Sequence, residues 1–133
     1  MILKYKSVVI IDDDIDDHDF ISSILKDFAN PPVSTFFLDP AKALEHLYQG
    51  TLTPDLILLD LNMPALSGNE VLSRIKKHES ISSIPVIILS TSNHRPTIDL
   101  MKQLGAEDYI VKPHSYTALI SVLKGIFHDN SST

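Results

Sequence analysis

Apolar residues alternate along the chain between short continuous runs and longer stretches in which they recur every three or four positions. Ser7-Val8-Val9-Ile10-Ile11 is a continuous run, the pattern of a strand buried on both faces. Residues 15–29 follow, with Ile21, Ile24, Leu25 and Phe28 at i, i+3, i+4 and i+7, one stripe of a helix that Asn30-Pro31-Pro32 ends. Residues 33–38 read as a second strand. Asp39-Pro40 supplies an N-cap and a proline in the first turn of a helix running to about Gln49, which Gly50 closes. Residues 55–60 form a third strand, apolar between its two terminal aspartates, and a helix starting at Ser67 or Gly68 carries Val71, Leu72 and Ile75. A fourth strand covers 85–89. A helix at 97–104 uses Ile98, Met101 and Leu104, and Gly105 stops it. A fifth strand covers 107–111. The last helix, 115–127, sets Leu119, Val122, Leu123 and Ile126 on one stripe. The polar tail 128–133 is expected to fray.

Five strand–helix units in this order predict an α/β protein: a parallel sheet covered by helices on both faces. The strand order cannot be read from periodicity. No linker or second domain is legible, so residues 1–133 are expected to be one domain with a core of about 7–127 and a flexible tail. A chain of 133 residues suits that. With 44% hydrophobic and 21% charged residues it has the composition of a folded globular domain. There are 17 acidic and 11 basic residues, a formal net charge of −6, and no basic stripe of the kind nucleic acid requires. The chain has no cysteine, which excludes disulfides and thiolate metal sites. No apolar run approaches the roughly 20 residues that span a bilayer. The N-terminus lacks the features of a signal peptide, so a cytoplasmic protein without membrane insertion is expected.

The placement of the acids matters more than their number. Asp12 and Asp13 directly follow the first strand, and Asp60 ends the third. Ligands of open parallel sheets bind at the carboxyl ends of the strands, so these carboxylates can converge. Like charges brought together need a cation, and hard oxygen donors suit Mg²⁺. Ser90-Thr91-Ser92 after the fourth strand offers hydroxyl donors, and Lys112 after the fifth offers a positive charge. Carboxylates with a metal, a hydroxyl and a lysine suit a phosphoryl group, and an aspartate there can act as the nucleophile that forms an acyl phosphate.

These residues occur within four motifs: Ile10-Ile11-Asp12-Asp13-Asp14, Leu58-Leu59-Asp60-Leu61-Asn62-Met63-Pro64 with Gly68, Val86-Ile87-Ile88-Leu89-Ser90-Thr91, and Tyr109-Ile110-Val111-Lys112-Pro113. In that order, at consecutive strand ends, they closely resemble the response-regulator receiver family over about residues 7–127. The resemblance implies a flavodoxin-like (βα)5 fold, doubly wound, with five parallel strands in the order 2-1-3-4-5. It implies that Asp60 is the phosphoacceptor of a two-component system. Asp13 and Asp60 would bind Mg²⁺ directly, Asp12 through water and Asn62 by its backbone carbonyl. Ser90 would be the switch hydroxyl, Tyr109 the aromatic rotamer switch and Lys112 the partner of a phosphoryl oxygen. Asn62 and Ser92 would tune dephosphorylation, and Gly68 would be structural. The Lys112–Pro113 peptide bond is expected to be cis. The acidic run 12–19 leaves the register of the pair open, and Asp12 and Asp13 are chosen because they directly follow Ile10-Ile11. The acidic helix start and Ser90-Thr91-Ser92 resemble receivers that work alone with phytochrome-type kinases.

Several residues have plainer readings. Acids at 14–19 are expected to serve only the helix dipole, each by about 0.3–1 kcal/mol when exposed. Tyr109 could be a core aromatic anchored by its hydroxyl. The histidines at 18, 46, 78, 94, 114 and 128 show no metal-ligand spacing and are assigned no role, although His114 could touch the rim of the site. Expected partners are a histidine kinase or phosphotransfer protein and a downstream protein target. No output domain is expected, and the apolar helix faces could support a phosphorylation-linked homodimer. Two other functions compete: an interaction module of the same fold that no longer cycles phosphate, and an aspartyl-phosphate phosphatase. The second acid and cap domain usual in the latter are missing from the motif around Asp60-Leu61-Asn62.

Overall fold

The computed structural model describes residues 2–63 and 66–128. Five strands alternate with five helices. The strands are β1 Ser7–Ile11, β2 Val33–Phe37, β3 Leu56–Leu59, β4 Val86–Ser90 and β5 Asp108–Val111. The helices are α1 Ile15–Lys26, α2 Pro40–Gln49, α3 Gly68–Lys77, α4 Arg95–Gln103 and α5 Tyr116–Phe127. The sheet is wholly parallel in the order β2-β1-β3-β4-β5, the flavodoxin-like arrangement that the family resemblance implies.

Side chains of a strand alternate between faces, so each apolar run splits into two cores. Val9, Ile11, Ile57, Leu59, Val86 and Ile88 pack on one side with Leu44 and Leu47 of α2, Val71, Leu72 and Ile75 of α3 and Met101 of α4. Val8, Ile10, Leu56, Leu58, Ile87 and Leu89 pack on the other with Ile21, Ile24 and Leu25 of α1 and Leu123, Ile126 and Phe127 of α5. Both faces of the central strands β1, β3 and β4 are therefore covered, which is why these strands are almost wholly apolar rather than alternating, while the edge strands β2 and β5 are partly exposed. The register pairs Ile11 with both Phe37 and Leu59. That alignment brings the ends of β1 and β3 level, with their following residues side by side.

Local chemistry sets the boundaries. The Asp39 carboxylate accepts from the Ala41 amide ahead of Pro40, and Gly50 closes α2 at φ 73°, a left-handed conformation that costs glycine little. α1 stops at Lys26, short of the expected residue 29. The amides of Asp27 and Phe28 donate to Ile24 and Leu25 three residues back, a tight final turn that still buries Phe28 in line with the stripe. α4 starts at Arg95, ahead of the expected Thr97, because Pro96 fits the first helical turn, where its missing N–H is not needed. His128, placed in the fraying tail, is bridged antiparallel to Leu3 and lies 4.9 Å from the Phe28 ring. The rest of that tail, 129–133, lies outside the described residues.

Candidate functional site

The backbone ladder continues one rung beyond three strands. Asp12 N donates to Phe37 O at 3.1 Å, Asp60 N to Ile11 O at 3.0 Å and Lys112 N to Ser90 O at 2.7 Å. These bonds fix the directions in which the three side chains leave the sheet. The order reverses between β1 and β3, because their chain continuations run to opposite edges, and Asp12 and Asp60 flank that crevice. Gly68 at the start of α3 packs directly against the backbone of Asp60 and Leu61. A Cβ on Gly68 would lie 2.5 Å from the Asp60 carbonyl oxygen and 2.6 Å from Leu61 Cα, both backbone atoms with little freedom to yield.

Asp12, Asp13 and Asp60 each offer a carboxylate oxygen within 4.8 Å of the others, the only such group among the described residues. Asp12 and Asp60 are buried and Asp13 is exposed. Lys112 Nζ donates to Asp12 Oδ2 at 2.8 Å and lies 3.8 Å from Asp60 Oδ1. Burial pushes the Asp12 carboxyl up to about 7, against the opposing hydrogen bonds from Lys112 and the Asp14 amide. Burial also raises Asp60, opposed by the charge of Lys112 and by the amides of Asn62 and Leu61. Burial alone would lower Lys112, but its hydrogen bonds to Asp12 and Asp17 outweigh that and hold it above its usual value. Several acids thus share one ammonium. Oxygen-only donors, exposed on one side at Asp13, suit a divalent cation.

Ser90, Ser92 and Tyr109 form a chain. Ser92 N donates to Ser90 Oγ at 3.3 Å, and the Tyr109 hydroxyl donates to Ser92 O at 2.7 Å. Ser90 is fully buried and Tyr109 nearly so, which leaves the peptide of Ser92 joining the two. Asn62 is exposed beside Asp60.

Three expectations change. No peptide bond among the described residues is cis, so Lys112–Pro113 is trans, the form an X–Pro amide favours by about 0.5–1 kcal/mol. From that bond the lysine reaches Asp12 and Asp17. Asp17 does more than serve the helix dipole. Its Oδ2 accepts from Lys112 Nζ at 2.6 Å, whereas Asp14 is simply the N-cap of α1. Its position one turn beyond Asp13 was the available signal, hidden within a run of aspartates. His18 also has a place: it is buried, its Nε2–H donates to the Asp12 backbone carbonyl, and its ring lies 5.1 Å from Phe36. No spacing rule marks a histidine that bonds backbone rather than metal. His114 lines a cleft of about 340 Å³ with Asp17, Lys112 and Tyr116.

A doubly wound parallel sheet thus carries an acid cluster, a buried hydroxyl and a lysine together at its carboxyl edge. The chain belongs to the response regulator receiver domain family, whose model matches residues 8–124. Its members are the receivers of two-component signal transduction. The chain is 29% identical over 126 residues to response regulator Rcp1 of Synechocystis, covering 91% of this chain and 86% of Rcp1. It is 32% identical over 119 residues to the Arabidopsis thaliana two-component response regulator ARR5, covering 83% of this chain but only 64% of ARR5. Among solved structures, the phosphorylated cyanobacterial phytochrome response regulator RcpA superposes with a TM-score of 0.84 at 33% identity, over 92% of this chain and 91% of RcpA. The Mn²⁺-bound form of Rcp1 superposes at 0.83 and 28% identity, over 91% of each chain. Among the described residues no helix is long and apolar enough to cross a membrane.

Proposed function

We propose that residues 1–133 act as a single receiver domain in which Asp60 accepts a phosphoryl group, in a Mg²⁺-dependent reaction, from the phosphohistidine of a kinase or phosphotransfer protein. The observation that carries this reading is the convergence of Asp12, Asp13 and Asp60, with Lys112 bonded to Asp12 and 3.8 Å from Asp60. Asp13 and Asp60 would hold the cation directly, Asp12 through water and Asn62 by its carbonyl. When bound, Mg²⁺ supplies charge neutralisation for the transferring oxygens. An Asp60 carboxylate oxygen attacks phosphorus in line, the P–N bond breaks, and the departing imidazole takes a proton from water. Lys112 donates to a phosphoryl oxygen, and the domain catalyses only its own phosphorylation and dephosphorylation.

The switch follows from the hydrogen-bonded chain at the end of β4. Ser90 Oγ accepts from Ser92 N, and its own hydroxyl proton can be given to a phosphoryl oxygen. Rotation of Ser90 toward Asp60 withdraws the acceptor from Ser92, whose carbonyl holds Tyr109. The change reaches the surface formed by α4, β5 and α5, where a downstream protein or a second copy would read it. The phosphoryl group biases this equilibrium only through its differential contacts in the two states. A soluble protein of the cytoplasm, meeting its kinase and target by contact, is the setting this requires.

Incubation with Mg²⁺ and acetyl phosphate should place one base- and hydroxylamine-labile phosphate on the chain, detected by intact mass. Asp60→Asn should abolish it while leaving the circular dichroism spectrum unchanged. Equal labelling of that variant would eliminate Asp60 as acceptor.

A further inference from the structure

An ammonium group has three N–H donors. In Lys112 one donates to Asp12 at 2.8 Å and another to Asp17 at 2.6 Å, while Asp60 stands 3.8 Å away, beyond hydrogen-bond length. The shortest of the three contacts is therefore to the carboxylate that belongs to neither strand end. Asp17 sits in the first turn of α1, and its side chain is 30% exposed against 12% for Lys112. A partly exposed carboxylate can release its partner to water at lower cost than a buried one.

We propose that Asp17 attenuates the phosphoryl site by tethering the Lys112 ammonium on the α1 side, so that a phosphoryl group on Asp60 must compete with a second carboxylate for this lysine. The inference rests on the reading of Asp60 and Lys112 given above. It assigns Asp17 a restraining role where position alone gives it a helix-dipole one. Two effects act with the same sign. Loss of the Asp17 charge frees the lysine, and it also removes an anion from the neighbourhood of an incoming anion.

Beryllofluoride, a phosphoryl mimic, tests this in the full chain. Binding is titrated at saturating Mg²⁺ by NMR or fluorescence. Asp17→Asn should bind about tenfold tighter than wild type, the size expected for one unit charge between the aqueous and the protein-interior limits. Asp17→Ser, which also removes the carboxylate, should move in the same direction. Asp19→Asn separates tether from field, because Asp19 lies exposed on the same helix and carries the same charge. Its affinity should stay near that of wild type. Unchanged or weaker binding by both Asp17 variants overturns the tether, as does an equal gain in Asp19→Asn. Failure of the wild type to bind beryllofluoride with Mg²⁺ is a different result: it removes the phosphoryl site itself and the tether with it.

Discussion

At the scale of single residues, the site is held by groups that never touch the reacting atoms. His18 donates to the backbone of Asp12, and the flanking ring of Phe36 fixes the imidazole plane. The carbonyl can only accept, so His18 must carry its proton on Nε2. Groups that orient metal-binding segments typically contribute 10–100-fold in affinity. His18→Phe, which keeps the ring packing and loses the donor, should weaken Mg²⁺ binding about tenfold by calorimetric titration. His18→Gln places an amide N–H near the same position and should recover most of that loss. Equal weakening by both variants would mean that packing, not the hydrogen bond, is what His18 supplies. Asp60, Asp12, Asp13, Ser90 and Lys112 could all be recognised in the sequence because each directly follows or ends an apolar run. Asp17 and His18 could not. Both lie inside a helical stretch, where the partner of a side chain depends on which strand end the helix packs beside.

At the scale of elements, boundaries depended on chemistry that composition reveals only in part. α2 was legible at both ends, since Asp39-Pro40 and Gly50 state its caps outright. Asp39→Ala should leave the fold intact and cost about 1 kcal/mol in urea-induced unfolding, through the lost bond to Ala41 N. No change in the unfolding midpoint would show that water replaces the cap without loss. α1 was read too long because Phe28 continues its stripe. The apolar spacing reports which residues face the core, and a tight terminal turn keeps the same facing without helical hydrogen bonds. α4 was read too short because its apolar spacing begins at Ile98, whereas Arg95 and Pro96 already form its first turn. Ser90 was placed just after a strand that in fact includes it, paired with Val111. This bears on the switch proposed for Ser90, because a hydroxyl on the final rung of a central strand is fully buried and has few places to turn.

At the scale of the whole molecule, the sheet brings acids together before any cation is present, and stability should record that. Asp12 has a carboxyl raised to about 7 from a usual 3.8, and Asp60 is raised as well. Between those values the native state holds protons that the unfolded chain has released, so stability falls as pH rises through that window. Lys112 is raised from an already high value, so it stays charged across the window and does not reverse the sign. The metal-free melting temperature should therefore drop from pH 5 to pH 7.5. Added Mg²⁺ should stabilise most at the upper end, where the carboxylates need not lose protons to bind it. Scanning fluorimetry with and without Mg²⁺ checks both. A flat profile that Asp12→Asn leaves unaltered would contradict the buried, proton-sharing cluster. The sequence by itself determined the number and kind of elements, the covering of both faces of the central strands, and which residues stand at strand ends, since apolar periodicity and caps are local properties. Family resemblance, not periodicity, supplied the strand order. Only the tertiary structure decided that Lys112 lies nearer Asp12 and Asp17 than Asp60, that its bond to Pro113 is trans, and that Ser92 joins Ser90 to Tyr109. Those relations depend on how strands distant in the chain align, and a carboxylate's nearest cation is set by that alignment rather than by its neighbours in sequence.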